Sequence, residues 1–470
     1  IMMAGMISVP IYATAERDTI EYIVKHADIK AIFIGKLDNV GEAEAAIDDS
    51  VLSIAFPYPT ALGTAKFNEW LTVYPPLVDI HKPAIDEIAT IVYTSGSTGK
   101  PKGVALTYKN MASVAQCLVN KFNVTDSFRS ISYLPLAHIV ERSNEYVCFY
   151  AGAEVFFVES LDTFKDDLQY ARPTGFISVP RLWTVFQTNV LAKIPQKTLA
   201  FLLAIPFLGS LVAKKIRTEL GLHQSQWFVS GSAPIALPLL NWYEKLNMPI
   251  SEGWGMTETS GASSLNFPCS IQNKGTIGKP LSCVEMKLSE EGEILIRGDA
   301  VFSEYYLDPK TTQESFIDGW FRTGDCAEIT EEGDYNIIGR IKDKFKTSKG
   351  KYVTPVPIES LLSSNLDIEQ VCVMGAGIKQ PVALVVLTST VNKRDDEVIK
   401  RLKNTLESVN KKLESHQKLD SILICKEAWS IENKLLTPSM KIKRNIIEDK
   451  YKSLIAKELT QAVMCEEDVI

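Results

Sequence analysis

A glycine-rich stretch near residue 100 carries the residue types best suited to binding phosphate groups. It lies between the apolar runs 88–93 and 104–106, so the pattern predicts a strand, a loop and a second strand. The glycines let the backbone approach an anion with inward-pointing amides, and the hydroxyls and lysines add donors and positive charge. The residues of this predicted phosphate cradle are Thr94, Ser95, Gly96, Ser97, Thr98, Gly99, Lys100, Lys102 and Gly103.

Two other interpretations of this stretch are weaker. A solvated linker is seldom flanked by apolar strands on both sides, and it gains nothing from two lysines placed around a proline. A Walker-type nucleotide loop requires a glycine at the position of Thr94 and opens a helix, which Pro101 after Lys100 forbids. The stretch is therefore predicted to be a phosphate-binding loop of another kind.

A second candidate cluster combines small residues with an aromatic residue and acidic residues. The segments 230–234 and 251–259 are each predicted to follow a strand, and open α/β sheets bind ligands at such strand ends. The small residues leave a flat slot, and Trp254 offers an aromatic face for an adenine ring, with a core tryptophan as the alternative. The residues predicted to contact a nucleotide in this cluster are Gly231, Ser232, Ala233, Pro234, Glu252, Gly253, Trp254, Gly255 and Thr257.

Two carboxylates complete the candidate chemistry. Glu258 can hold Mg²⁺ through one carboxylate while Thr94 or phosphate oxygens complete an octahedron, with a helix-capping or surface glutamate as the alternative. Asp325 follows a Thr-Gly turn, where a carboxylate can accept hydrogen bonds from ribose hydroxyls. A turn of that kind is common by itself, so the assignment of Asp325 depends on the order of all the motifs.

Length and charge describe the chain that must position these residues. A chain of 470 residues is expected to form two or more domains. Residues 340–470 hold 23 Lys/Arg and 18 Asp/Glu, whereas the whole chain has a net charge of −7, which suits a basic lid that closes over a polyphosphate. The basic excess is small and not interleaved with aromatics, which disfavours nucleic acid. Scattered cysteines without metal-ligand spacing predict a cytoplasmic protein.

Alternating strand-like and helix-like runs predict an α/β fold. We expect a large N-terminal domain over residues 1–339, built of layered, parallel-rich sheets with helices, in which residues 275–339 form a small β-barrel-like subdomain. A small, mobile α+β lid is expected over residues 340–470. The first ten residues are interpreted as the interior of a helix running into a buried strand, so the domain is expected to begin upstream of Ile1.

The longest apolar segment, residues 199–213, is too short to span a bilayer and is interrupted by Pro206 and Gly209. A pair of buried or partly exposed helices is the main prediction. Lys197, Lys214 and Lys215 flank the segment, and they favour peripheral membrane contact as the alternative.

Taken together, the motifs resemble the adenylate-forming superfamily, which comprises acyl-CoA synthetases, luciferases and the adenylation domains of peptide synthetases. Five motifs in the family's order carry the resemblance over essentially the whole chain. It implies that Glu258 binds magnesium, that Asp325 and Arg340 contact the ribose of ATP, and that Lys342 is the hinge. Trp254 replaces the tyrosine of the family's Tyr-Gly-x-Thr-Glu motif, which keeps an aromatic ring and loses a hydroxyl.

The remaining motifs resemble one subgroup, the long-chain fatty-acid activators. The family's catalytic lysine normally follows Ser-Gly, whereas in this chain Met440 replaces the glycine; the resemblance assigns the catalytic role to Lys441, with Lys443 as the competing choice. The form L-P-L-A-H-x-x-E-R implies that His138 lies where the acyl carboxylate or the thiol arrives, with a hydrogen-bonded core histidine as the alternative. The segment around Trp183 is similar to the one whose tryptophan gates the fatty-acid tunnel in long-chain enzymes, which implies a tunnel formed by Trp183, Gly231 and Gly253. The apolar neighbours of Trp183 suit a packed core equally well.

The sequence thus predicts a long-chain fatty acid–CoA ligase that uses ATP, Mg²⁺ and CoA. Fatty acid and ATP would form an acyl-adenylate and pyrophosphate, and CoA would then displace AMP. The alternatives are a short- or aromatic-acid CoA ligase, a fatty acyl-AMP ligase that does not use CoA, and an inactive acyl-binding relative. Neither the acyl chain length nor the oligomeric state can be read from these patterns.

Overall fold

The computed structural model describes residues 1–37, 40–58, 63–94, 100–389, 391–437, 440–457 and 459–469. Within them, several sheets with helices occupy the first three quarters of the chain, and a separate sheet with its own helices follows residue 340. The fold is α/β, as the alternation of apolar runs predicts. The central residues of the glycine-rich loop lie outside the described residues, namely Ser95, Gly96, Ser97, Thr98 and Gly99.

Strands and helices alternate along most of the chain. In chain order, the strands are β1 (Ala31–Ile34), β2 (Leu52–Ala55), β3 (Ala65–Lys66), β4 (Ile88–Thr94), β5 (Lys102–Thr107), β6 (Arg129–Ser132), β7 (Glu154–Phe157), β8 (Gly175–Ser178), β9 (Trp227–Ser230), β10 (Ile250–Trp254), β11 (Ser264–Leu265), β12 (Lys279–Pro280), β13 (Glu285–Leu288), β14 (Glu293–Arg297), β15 (Glu304–Tyr305), β16 (Phe316–Ile317), β17 (Trp320–Ile329), β18 (Tyr335–Arg340), β19 (Phe345–Lys346), β20 (Tyr352–Val353), β21 (Ile368–Met374), β22 (Val382–Leu387), β23 (Ser421–Ile424) and β24 (Val463–Cys465). The helices are α1 (Arg17–His26), α2 (Val40–Ala45), α3 (Phe67–Val73), α4 (Tyr108–Phe122), α5 (Ile139–Ala151), α6 (Phe164–Ala171), α7 (Pro180–Lys193), α8 (Gln196–Ala204), α9 (Leu208–Glu219), α10 (Leu237–Glu244), α11 (Pro309–Glu314), α12 (Pro355–Leu362), α13 (Asp396–Asn410) and α14 (Arg444–Ile455).

The strands around the glycine-rich loop form an antiparallel hairpin. β4 pairs with β5 in a register that places Thr94 opposite Lys102, and β15 adds to the other edge of β5. Nearly every residue of β4 and β5 is buried, which explains why both strands are continuous apolar runs without alternation. The hairpin therefore holds the two ends of the loop side by side.

The second cluster lies on a five-stranded sheet in the order β12-β11-β10-β9-β8. β8, β9 and β10 are parallel, and the register aligns Ser230 at the end of β9 with Glu252 in β10. One prediction needs correction: the segment 251–259 does not follow a strand but begins inside β10, because Ile250–Trp254 pairs with both β9 and β11. The carboxyl ends of these parallel strands bring the two segments to one sheet edge.

A compact antiparallel sheet follows, in the order β13-β14-β17-β16 with β18 paired to β17. The β17–β18 pairing places Asp325 opposite Arg340, although the two residues are separated by a turn of the chain. Gly333 in that turn has a φ of 82°, a left-handed conformation that an L side chain rarely adopts.

The C-terminal part is built on the sheet β21-β22-β23-β24. Its side chains form two apolar clusters over residues 345–469. The two largest clusters of the preceding part lie within residues 92–321, so these clusters of the two parts share no residue. A bidentate ion pair at 2.8 and 2.9 Å joins Arg444 of α14 to Glu359 of α12 inside this part. Across the two parts, Arg181 contacts Glu369 at 3.2 Å.

The N-terminal segment differs from its prediction. Met2–Ala4 forms one 3₁₀ turn instead of a helix interior, and Ser8 makes a single parallel bridge to Thr90 instead of a strand. Gly5, with a φ of 71°, ends the turn, and Pro10 lacks the N–H that a continuing strand ladder requires. Val9 packs against Ile91 and Tyr93 of β4, whereas Ile1, Met3, Met6 and Ile7 are exposed.

Candidate active site

The described ends of the glycine-rich loop lie beside a tyrosine that sequence reasoning missed. The ammonium group of Lys102 lies 4.9 Å from the centre of the Tyr305 ring, and the Tyr305 hydroxyl donates a 2.8 Å hydrogen bond to Oε1 of Glu258. Tyr305 therefore links the phosphate-loop hairpin to the predicted metal ligand. Lys100 is exposed and lies 5.7 Å from the ring of Tyr22.

Glu258 is held in a short 3₁₀ turn, Thr257–Thr259, and is buried. The described residues contain no group of three or more His, Cys, Asp or Glu side chains that could by themselves hold a metal ion. A buried carboxylate with one oxygen engaged by Tyr305 keeps acceptor capacity on both oxygens. The donor set therefore fits Mg²⁺ that arrives with phosphate oxygens as its other ligands, and it does not fit a metal held by protein alone.

Asp325 accepts from two side chains at once. The indole Nε1–H of Trp254 donates to Oδ2 at 2.9 Å, and Nε of Arg340 contacts Oδ1 at 2.7 Å. The charge of Asp325 is the main cause that raises the pKa of Arg340, which stays protonated. A carboxylate has about four lone-pair sites, so each oxygen can still accept one more hydrogen bond. This geometry leaves Asp325 able to accept from a diol.

Trp254 is thus fixed by its nitrogen as well as by its ring. Trp254 is partly buried and packs against the buried apolar cluster of Ile294, Ala327 and Tyr335. The Nε1 bond to Asp325 was not foreseen, because the sequence suggested only an aromatic face. The role of Trp254 as an adenine platform stays a prediction.

The small residues next to Trp254 permit close backbone approach. Ser232 has a φ of 69°, Gly231 lies against the carbonyl of Gly253, and a Cβ on Gly255 would come within 2.4 Å of the Gly261 carbonyl oxygen. Ala233 and Pro234 are exposed at the mouth of this slot. The structure brings both predicted segments together, and their contact with a nucleotide stays a prediction.

Glu252 does not point freely into the slot. Its carboxylate accepts a 2.7 Å hydrogen bond from the N–H of Gly275, and the N–H of Glu252 donates to Asn266 Oδ1 at 2.6 Å. Burial raises the pKa of Glu252 to about 7, against the opposing effect of the hydrogen bonds from Gly275 and Asn266. Glu252 therefore connects β10 to the start of the 275–339 segment.

Lys441 reaches the same site from the C-terminal part of the chain. Desolvation lowers its pKa first, the charge of Arg340 lowers it further, and the charges of Asp325 and Glu258 oppose the shift. Much of the Lys441 surface remains accessible to solvent even so. Charges on β17, on β18 and in the 3₁₀ turn thus converge on this lysine.

The backbone before Lys441 has a conformation that favours glycine. Met440 has a φ of 62°, in the left-handed region, at the position where the superfamily places a glycine. The Lys441 carbonyl accepts from Thr437 N–H at 2.8 Å, and a bridge between Leu436 and Ile442 closes the loop. The methionine adopts this conformation at the cost of backbone strain.

Lys443, the competing candidate, lies at a different kind of position. It is the residue that precedes α14, and its N–H donates to the Leu435 carbonyl at 2.9 Å. Asp325 and Glu258 lie close enough to Lys441 for their charges to influence its pKa. The choice of Lys441 over Lys443 stays a prediction.

His138 begins α5 and lies within electrostatic reach of Lys441. Its Nδ1 accepts a 3.3 Å hydrogen bond from Val140 N–H, so the neutral ring carries its proton on Nε2. Burial, with a further contribution from the charge of Lys441, lowers the pKa of His138 to about 4. His138 is therefore a neutral hydrogen-bond donor near neutral pH.

Trp183 is placed in a packed core. It is fully buried, its ring packs against Phe176 and Tyr243, and its N–H has no partner among the described residues. The ring of Trp183 lies next to β9, with its centre 6.3 Å from that of Phe228. The assignment of these three residues to an acyl tunnel stays a prediction.

Lys342 lies in a 3₁₀ turn, Ile341–Asp343, directly after β18. That turn joins Arg340, which contacts Asp325, to the C-terminal sheet. The position suits a hinge, and hinge motion stays a prediction.

Comparison with known proteins identifies the class that this fold and site define. The chain belongs to the AMP-binding enzyme family: the AMP-binding enzyme domain matches residues 1–306, and the AMP-binding enzyme C-terminal domain matches residues 342–462. Within that class it belongs to the adenylate-forming acyl-CoA ligase family, with fatty acyl-CoA synthetases among its relatives.

Two curated relatives and one solved structure illustrate the similarity. The chain is 32% identical to fatty acyl-CoA synthetase A of Dictyostelium discoideum, with 97% of this chain and 78% of the relative covered. It is 30% identical to long-chain-fatty-acid–CoA ligase 5 of Rattus norvegicus, with 94% and 74% covered. The A domain of the Segniliparus rugosus carboxylic acid reductase, in complex with AMP and a co-purified carboxylic acid, shares the fold with a TM-score of 0.78 at 20% identity, covering 97% of this chain and 78% of that one.

Proposed function

We propose that this protein activates a long-chain fatty acid with ATP and transfers the acyl group to CoA. In the first half-reaction a carboxylate oxygen attacks the α-phosphorus, the bond to the β-phosphate oxygen breaks, and pyrophosphate leaves. In the second, the CoA sulfur attacks the acyl carbonyl carbon and AMP leaves. The relatives named fatty acyl-CoA synthetase and long-chain-fatty-acid–CoA ligase support this choice of acid, as does the sequence around His138.

One arrangement carries the proposal: Trp254 and Arg340 hold Asp325 at 2.9 and 2.7 Å, and this cluster lies close enough to Lys441 to influence its pKa. An in-line attack on phosphorus builds negative charge that preorganised cations can stabilise. Lys441 and Arg340 would meet that charge from opposite parts of the chain. Asp325 would accept from the ribose hydroxyls and so fix the nucleotide beside both cations.

The hairpin at Thr94 and Lys102 would hold the β- and γ-phosphates. The residue types at 95–99 would add hydroxyl and backbone donors, and Lys100 and Lys102 would add positive charge. Tyr305, between Lys102 and Glu258, would keep the phosphate loop and the carboxylate in a fixed relation. Positioning of this kind is the larger part of catalysis in phosphoryl and nucleotidyl transfer.

Glu258 would hold the magnesium ion of MgATP, with Thr94 as a further oxygen donor. Bound there, the ion would neutralise charge on the phosphates. The neutral His138 would donate its Nε2–H to the acyl carboxylate or the carbonyl that forms from it. Because burial keeps the pKa of His138 at about 4, this donor does not compete as a cation with Lys441.

The two half-reactions require different surfaces at one site, so the C-terminal part must move. With Lys441 in place, the site is arranged for adenylation, and rotation about Lys342 would withdraw the lysine and admit CoA. We propose residues 340–470 as this lid and residues 1–339 as the body, in the cytoplasm.

A substrate panel tests the choice of acid. Acyl-CoA formation would be measured with palmitate, acetate, benzoate and amino acids, each with and without CoA. The proposal expects palmitate to exceed acetate and benzoate by at least about tenfold in kcat/KM, a difference of ~1.4 kcal/mol in transition-state binding. A preference for benzoate or acetate would overturn the long-chain assignment, and acyl-AMP release without acyl-CoA would indicate a ligase that does not use CoA.

A further inference from the structure

An apolar helical hairpin, residues 196–219, projects large side chains into solvent. α8 and α9 pack against each other, and their inner residues Leu199 and Ala213 are buried in the core. The outer surface nevertheless exposes Phe201 by 68%, Phe207 by 89% and Leu211 by 64%. Large apolar side chains grouped on an exposed surface mark an interaction site more often than they occur by accident.

The tip of this hairpin presents its phenylalanine in a strained conformation. Phe207 has a φ of 62°, which is rare for a bulky residue. The tight turn forces it: Leu208 N–H reaches the Pro206 carbonyl at 2.7 Å, and a Cβ on Gly209 would come within 2.4 Å of the Leu203 carbonyl oxygen. A strained and almost fully exposed phenylalanine does not stabilise the fold, which points to contact with another molecule.

Charge separates this region from the rest of the protein. Between Asp167 and Glu219 the chain has seven Lys/Arg and no Asp/Glu, although the whole protein has a net charge of −7. Three of the lysines belong to the hairpin, and all three are exposed: Lys197, Lys214 and Lys215. Within the described part of the chain, no ion pair joins any of the three to a carboxylate. The basic charge therefore borders the apolar tip.

From these observations we propose that the 196–219 hairpin docks on an anionic lipid bilayer. Phe201, Phe207 and Leu211 enter the boundary between headgroups and acyl chains, and the lysines contact anionic headgroups. The rest of residues 1–339 is acidic and is repelled by the same surface, which favours contact through the hairpin. No helix in the described residues is long and apolar enough to cross the bilayer, so the contact is interfacial.

A second copy of the chain is the competing occupant, and the charges disfavour it. A two-fold contact through this tip would bring the lysines of both copies together, whereas anionic headgroups complement them. Docking through the hairpin does not require that the substrate is a fatty acid.

Vesicle sedimentation with the full chain tests the inference. The probes are phosphatidylcholine vesicles with and without phosphatidylserine, at low and high salt. We expect binding to the phosphatidylserine vesicles, a loss of at least tenfold in the partition coefficient for F201S/F207S, and a comparable loss for K197Q/K214Q/K215Q at low salt. F157S is the matched control, because Phe157 is equally exposed but lies on β7; it should bind like the wild type.

A second measurement needs no substitution. Backbone amides of residues 196–219 should exchange hydrogen more slowly when phosphatidylserine vesicles are present, and those of α13 should not change. Absence of wild-type binding, F201S/F207S binding that equals the wild type, or unchanged exchange in the hairpin would each overturn the inference. So would a dimer in the absence of vesicles that F201S/F207S dissociates, because the tip would then be covered by a second copy.

Discussion

Trp254 and Asp325 are joined by a hydrogen bond of 2.9 Å from the indole Nε1–H to the carboxylate Oδ2. Arg340 holds the other oxygen at 2.7 Å, so the carboxylate is gripped from both sides. The superfamily's tyrosine at position 254 is replaced by a residue that directs a donor at the predicted ribose-binding aspartate. The substitution of tyrosine by tryptophan thus has a structural consequence beyond the aromatic ring.

Removing that donor should weaken ATP binding selectively. Trp254→Phe keeps an aromatic ring but loses the hydrogen bond to a charged group, which is worth ~1.5–3 kcal/mol. We expect KM for ATP to rise by about tenfold or more, with a smaller change in kcat, in steady-state kinetics at saturating acid. Trp320→Phe is the control, since Trp320 lies on β17 with Asp325 but stacks on Lys287 and Arg297. Equal KM values for the two variants would contradict the role of the indole N–H.

Loss of Lys441 should separate the two half-reactions. Lys441→Ala is expected to slow adenylation by at least ~10²-fold, by analogy with removal of one preorganised donor, while sparing thioester formation from supplied acyl-AMP. Lys443→Ala removes a nearby charge outside the site and should change adenylation far less. Rapid-quench experiments measure the rate of each half-reaction. An equal loss of rate in both half-reactions would contradict a specific role for Lys441 in adenylation.

The strain at Met440 predicts opposite effects for two substitutions. Met440→Gly relieves a left-handed φ of 62° and should retain adenylation, with a free energy of unfolding that is unchanged or higher by up to ~1 kcal/mol. Met440→Val forces a β-branched residue into the same conformation and should displace Lys441, lowering adenylation by about tenfold. Pyrophosphate exchange and chemical denaturation measure the two effects. Val and Gly variants with equal activity would contradict this account.

Glu252 should make stability depend on pH in a defined direction. Its pKa is raised from 4.5 to about 7 by burial, so the folded state binds the proton more tightly than the unfolded state does. Stability is therefore lost as pH rises from about 4.5 through about 7, by up to ~3 kcal/mol at 1.36 kcal/mol per pKa unit. Glu252→Gln keeps an acceptor for Gly275 N–H and should remove this dependence. The free energy of unfolding would be measured by denaturation at about pH 5 and about pH 8, which span most of the titration. An equal change between the two pH values in the wild type and in Glu252→Gln would contradict this interpretation.

The sequence predicted those parts of the site in which the contacting residues are close together along the chain. The hairpin at Thr94 and Lys102 follows from two apolar runs around a glycine-rich loop, and the pairing of Asp325 with Arg340 follows from one β-hairpin. The α/β fold was likewise readable from alternating runs. By contrast, the N-terminal apolar residues were wrongly interpreted as a helix and a strand, because composition does not show that Gly5 ends a single turn.

The parts that the sequence could not predict depend on contacts between distant segments. Tyr305 reaches Glu258 and Lys102 only because β15 pairs with β5, about 200 residues away along the chain. The left-handed conformation of Met440 could not be predicted from the residue type, because methionine rarely adopts it. Tyr305 belongs to no motif whose spacing would indicate its role, whereas Met440 stands in the lysine motif at the position of the family's glycine, which is a sign of this conformation.

Pyrophosphate exchange into ATP, measured with and without palmitate and followed by addition of CoA, tests the central claim most directly. The account predicts exchange that requires palmitate, and then AMP release with palmitoyl-CoA formation when CoA is added. Exchange that palmitate does not stimulate, in a protein whose ATP binding is intact, would contradict it.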